Sequence, residues 1–161
     1  MPTAERGAIN HLVREVMAFT FEKEVGHPPV LDAVRSLTAV QAAWKPHPDR
    51  HSIWQIVRHL ALWKQYTLEE WDGGQPDPKR YMGRDWGAPS GGEQAWDADL
   101  RQLTETFQAL LGRAASLSDA DLLEPMPRRP DQSRALALLD LATHDAYHAG
   151  QIRHLRALQG V

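Results

Sequence analysis

Two histidines four residues apart, His144 and His148, interrupt an apolar seam that runs Ala137, Leu141, His144, His148, Gln151, Leu155, Leu158 in steps of four and three. Helical residues at that spacing are offset by about 40° around the axis and roughly 6 Å along it, so both imidazoles can address one atom. A third, His59, falls inside another stripe through Ile56, Leu60, Trp63 and Tyr66. Burying imidazoles without partners costs about 1–3 kcal/mol for each unsatisfied group, and a shared divalent cation compensates them all. The competing reading is a core histidine satisfied by one carbonyl or hydroxyl, and spacing alone does not separate the two. Three neutral nitrogen ligands would leave coordination positions open, as in catalytic zinc sites, and they also suit nickel, iron, cobalt or copper. A water on such an ion loses a proton near neutral pH and a thiol more readily still, so either becomes a nucleophile.

The neighbours supply candidate catalytic groups. Asp145 directly follows the first histidine of the pair, where metalloproteases of the His-Glu-x-x-His type carry their glutamate. Aspartate is one methylene shorter, and the third histidine lies upstream instead of downstream, which argues against a peptidase. Asp145 is expected to make a surface ion pair or to orient an imidazole through its second nitrogen. Gln151 is expected either to hydrogen-bond a ligand or water, or to tie two helices together. Tyr147 and Tyr66 can bring a phenol to the site, Trp63 can form a wall beside His59, and His27 is one further candidate, beside Pro28 and Pro29. His11, His47, His51 and His154 sit on polar faces or in loops and are expected to be solvated. Gly150, inside a helix, is expected to mark close approach of another backbone.

The elements that must position these groups read as helices. From Ala8, Ile9, Leu12, Val13, Val16 and Met17 recur at helical steps, and Gly26-His27-Pro28-Pro29 breaks the run. A second piece carries Leu31, Val34 and Leu37. After the extended Lys45-Pro46-His47-Pro48, Ser52 and Gln55 predict a capping box for a helix reaching about Trp71. Residues 72–91 are rich in glycine and proline and predict a long loop carrying Tyr81, Arg84 and Trp86, placed to act as a lid or partner contact. From about Glu93, the residues Trp96, Leu100, Leu103, Phe107, Leu110 and Ala114 keep a seven-residue pattern. Ser118 with Asp121 caps one short turn, Pro125, Pro127 and Pro130 predict a rigid connector, and Ser133 caps a last helix reaching about Gln159. No segment alternates with period two and no internal repeat is evident. The expectation is all-α, one domain over 1–161, a four-helix bundle whose first helix is broken.

Composition removes several classes. At 161 residues, 42% hydrophobic and 24% charged, the chain is outside the disordered range. Eighteen basic against twenty-one acidic side chains give a charge of -3, so no positive field would gather nucleic acid, and the six tryptophans are expected in core or interface instead of stacking on bases. Without cysteine there is no disulfide, thiolate-bound zinc, iron–sulfur cluster or cysteine nucleophile. Charges at Glu5, Arg6, His11, Arg14 and Glu15 are unlike a signal peptide, and no run of about 18 apolar residues exists, so a soluble cytoplasmic protein is expected.

Three stretches resemble a known family, the DinB/YfiT-like four-helix-bundle proteins. They are Leu37-Thr38 through Gln41-Ala42-Ala43-Trp44-Lys45-Pro46, then His51-Ser52-Ile53-Trp54-Gln55-Ile56-Val57-Arg58-His59-Leu60, and His144-Asp145-Ala146-Tyr147-His148-Ala149-Gly150-Gln151-Ile152. In order and spacing they cover most of the chain from about residue 30 onward. The resemblance implies one divalent ion, zinc or nickel foremost, held by His59, His144 and His148. It also implies an enzyme using a low-molecular-weight thiol or water on a small-molecule substrate, as a thiol-dependent S-transferase or a hydrolase, and a homodimer. The alternative is a non-catalytic module, stabilised by the metal, that serves a stress response or contacts a partner protein.

Overall fold

The computed structural model describes residues 7–161; Glu5 and Arg6, counted above among the N-terminal charges, lie outside the described residues. In chain order the elements are α1 (Ala8–Phe21), α2 (Val30–Val34), α3 (Ala39–Ala43), α4 (Ile53–Trp71), α5 (Pro78–Arg84), α6 (Gly92–Ala115), α7 (Asp119–Leu123), β1 (Pro125–Met126), β2 (Arg129–Ser133) and α8 (Arg134–Gln159). The fold is all-α apart from this two-stranded hairpin. The long helices α1, α4, α6 and α8 close a ring: α1 packs on α8 and α6, and α4 packs on α6 and α8.

The caps explain where the helices begin. Ser52 and Gln55 form the expected capping box at α4, and Ser118 with Asp121 forms another at α7. Ser133 accepts from the Leu136 N–H to start α8, and Gly160, at φ +78°, ends it. α1 is capped from across the bundle, the Asp119 carboxylate accepting from Ile9 N–H (3.2 Å) and Asn10 N–H (2.8 Å). The buried Asn10 amide returns the tie, donating to the carbonyls of Ala114 (2.6 Å) and Leu117 (2.9 Å).

The centre is filled by Phe21 stacked on Phe107 at 3.9 Å, by Trp54 set edge-on to Trp96, and by Leu60, Leu103, Leu110, Leu138 and Ile152. Trp54 and Trp96 are thus core, and Trp96 donates its indole N–H to the Leu37 carbonyl at 2.9 Å. No helix among the described residues is long and apolar enough to cross a membrane.

Four expectations need correction. The second helical piece is two, because the chain turns at Arg35 and Ser36, the latter at φ +62°, and Thr38 with Gln41 starts α3 by a capping box of its own. Residues 72–91 are not loop throughout: Asp77 caps α5 by accepting from Lys79 N–H, and Pro78 sits at the first helical position, where its missing N–H costs nothing. The connector at 125–133 is a hairpin turning at Pro127-Arg128, with Pro125 opening β1, a position where proline is tolerated. Two stripe residues, Leu12 and Leu158, are more than half exposed, so neither belongs to the core.

Candidate metal centre

α4 and α8 bring His59, His144 and His148 together inside the bundle. The Nε2 atoms of His59 and His144 lie 2.9 Å apart and those of His144 and His148 3.0 Å, and one ligand atom from each ring falls within 4.8 Å of the others. The outer nitrogens of two rings are engaged. His59 Nδ1–H donates to Asp85 Oδ1 at 2.7 Å, and His148 Nδ1–H donates to Gln151 Oε1 at 2.7 Å. With their protons on Nδ1, both rings turn a lone pair toward His144. A neutral His144 has one proton, which can serve one of these neighbours at most. At least one lone pair is therefore left without a donor at about 3 Å, an arrangement that a cation at the centre resolves; the three histidines could hold a metal ion.

Their electrostatics fit that use. Burial is the main cause that lowers all three pKa values, to about 3 for His144 and about 4 for His148, and it lowers His59 even though Asp85 acts in the opposite sense. Neutral imidazole is the form that coordinates a metal.

Asp85, which the sequence did not single out, organises one side. Its Oδ2 accepts from the Trp63 indole (3.0 Å) and its Oδ1 from the Trp86 backbone N–H (3.1 Å) besides His59. A carboxylate behind a ligating histidine fixes the tautomer and ring angle. Trp86, at φ +62°, stacks on His59 at 4.1 Å and on His51 at 3.7 Å, and Gln55 holds its carbonyl at 2.6 Å. His51 is thus exposed yet stacked, and its pKa is lowered, mainly by burial.

The remaining candidates divide. Asp145 makes no surface pair and touches no imidazole: it is buried and bonded to the equally buried Lys64 of α4. Gln151 does not bridge helices; its amide joins His148 to the exposed Tyr147, whose hydroxyl accepts from Gln151 Nε2 at 2.9 Å. Tyr147 thus meets the triad through Gln151 and by its ring, set edge-on to His148 at 5.0 Å. His27 is exposed against the Phe19 ring and is not part of the cluster. Trp63 and Tyr66 line a cleft of about 550 Å³ onto which His59 and His144 open, with Ala137 and Leu141 as its apolar side and Asp85, Asp140 and Arg129 as its charged groups. Gly150 marks no helix crossing, since nothing lies within 4 Å of where its Cβ would stand.

A four-helix bundle whose interior holds three histidines able to take one metal ion is a defined class of helical protein. Within it, the chain belongs to the DinB superfamily, whose family model matches residues 29–152 and so includes all three histidines. No curated protein matches the chain.

Proposed function

We propose that the protein is a metal-dependent enzyme in which His59, His144 and His148 hold one divalent transition ion, zinc or nickel, beside a cleft for a small-molecule substrate. When bound, such an ion lowers the pKa of a water or thiol and stabilises charge on the reacting group. The observation that carries the reading is that Asp85 and Gln151 accept at the Nδ1 atoms of His59 and His148 while the Nε2 atoms of both converge within about 3 Å on His144. The protein's own part is to keep the three rings neutral by burial, to lock two of them through Asp85 and Gln151, and to offer the substrate an aromatic wall at Trp63 and Tyr66. DinB membership supports a low-molecular-weight thiol as the co-substrate of an S-transfer, with hydrolysis as the related reaction. Large apolar side chains exposed along α8, Tyr147 and Leu158, support a homodimer, and the absence of cysteine is compatible with cytoplasmic work.

Elemental analysis of protein purified without a histidine tag tests the metal, beside His59→Ala and His144→Ala. About one transition ion per chain is expected in the wild type and none in the variants. Loaded protein is then assayed for thiol transfer and hydrolysis. Stoichiometric metal with no turnover in either assay would favour the non-catalytic module.

A further inference from the structure

Besides the triad, α4 and α8 share one other polar contact in the interior, and the proposed reading gives it no task. Lys64 and Asp145 are 1% and 2% exposed, and the Lys64 ammonium donates to Asp145 Oδ1. Each belongs to a helix that carries triad histidines. Lys64 is five residues beyond His59, roughly 7.5 Å along α4, and Asp145 stands between His144 and His148 on α8. Lys64 also lies over the Phe21 ring of α1 at 5.5 Å.

Stability does not account for the pair. Two charges removed from water are recompensed only by good geometry and further hydrogen bonds, and an apolar pair of similar volume commonly serves as well or better. Here the side-chain contacts of the pair are one hydrogen bond and one aromatic face. What an ion pair adds is direction, because a short carboxylate meets a long ammonium at one relative position of the two helices. Around Asp145 the buried face of α8 is small, with Ala142 and Ala149 on either side of it, and the large apolar residues Leu138, Leu141, Ile152 and Leu155 lie toward the two ends of the helix, where they pack without fixing a direction. The triad is sensitive to such motion, since rings from two helices must keep Nε2 atoms at 2.9 Å. One residue of slip on α8 is about 1.5 Å and one residue of rotation about 100°.

We infer that the Lys64–Asp145 pair is a positioning device that fixes the register of α8 on α4, and thereby sets the relative placement of His59 against His144 and His148 for a divalent metal. This rests on the metal reading above, but its failure is separable from the failure of that reading. Neither residue is a metal ligand.

The test uses Co²⁺ and Zn²⁺ alone, with the full chain and the double variant Lys64→Met/Asp145→Leu. Three quantities are measured: thermal unfolding without metal, affinity by competition with a chelator, and the visible absorption of bound Co²⁺, which reports ligand geometry. The expected result is a metal-free midpoint at or above wild type, at least tenfold weaker binding, and an altered Co²⁺ spectrum. Wild-type affinity and spectrum in the folded double variant overturn the inference. If the double variant does not fold, Asp145→Glu decides: it keeps the charge pair but adds a methylene, and should weaken Co²⁺ binding and change its spectrum without loss of helix. Unchanged binding there overturns the inference. A wild type that takes no metal overturns the parent reading and this one together.

Discussion

Asp85 shows how much of the site is set by a group that coordinates nothing. Without it, His59 loses the acceptor on Nδ1 and can place its proton on either nitrogen, while Trp63 and Trp86 lose their shared anchor. Asp85→Ala should therefore keep the fold and weaken Zn²⁺ affinity by roughly 10- to 100-fold, measured by chelator competition. Titration gives a second expectation. His144 is lowered from 6.5 to about 3 and His148 to about 4 in the metal-free fold, chiefly by burial. Below 6.5 the unfolded chain therefore binds more protons than the native one, and stability falls as pH drops. The histidine contribution should be complete above about pH 6.5 and lost progressively toward pH 3. Denaturant unfolding of metal-free protein between pH 7 and pH 4 should show this slope, and His144→Ala should flatten it. An acid limb identical in the variant would mean that other groups carry the loss. At this scale the sequence was partly legible: three histidines on inward faces could be read from helical steps. Asp85 could not, because it lies in a segment without periodicity and reaches His59 across 26 positions. Lys64 was within reach of the same logic, being three and four residues from the buried Ala61, Thr67 and Leu60.

Among the elements, those that could be read from the chain are the ones with a long period, sharpened where a cap marks the start. α4, α6 and α8 each bury a stripe over 19 residues or more, and Ser52 and Ser133 mark two of their starts. The short elements escaped for a different reason: α3, α5 and the hairpin are five, seven and a few residues long, too short for periodicity, and are held by neighbours. Glu70, fully buried in α4, accepts from the Arg128 N–H and the Arg129 side chain and so fastens the hairpin from outside its own sequence. Thr38 and Gln41, by contrast, carry the same capping signature as Ser52 and Gln55 and were there to be read. Gly150 also tests the difference between local and tertiary causes. It is exposed, with open space where a Cβ would stand, so no packing offsets the entropic penalty of glycine inside a helix. Gly150→Ala should raise stability by about 0.5–1 kcal/mol, seen as a higher unfolding midpoint, with metal affinity unchanged. A loss of stability would show that the position needs the flexibility or the space.

For the molecule as a whole, the triad is a place where the bundle's own hydrogen bonding does not close between two long helices, and that links metal binding to unfolding. Other polar ties between the long helices pair a donor with an acceptor: Asn10 with the Ala114 carbonyl of α6, Trp54 with Asp99 and Lys64 with Asp145. Around His144 two lone pairs converge with one proton to share. On the metal reading, an ion that binds the folded chain alone stabilises it by RT ln(1 + [M]/Kd), about 2.7 kcal/mol at a hundred times Kd. For a chain of this size that is a rise of roughly 5–10 °C in the unfolding midpoint. Thermal scans with excess Zn²⁺ and with a chelator should differ by this much in the wild type, and the difference should grow with the logarithm of free metal. His59→Ala/His144→Ala/His148→Ala should unfold at one temperature in both conditions, because the ion has lost its ligands. Equal midpoints in the wild type would leave the three imidazoles as buried polar groups and remove the metal from the account of this fold.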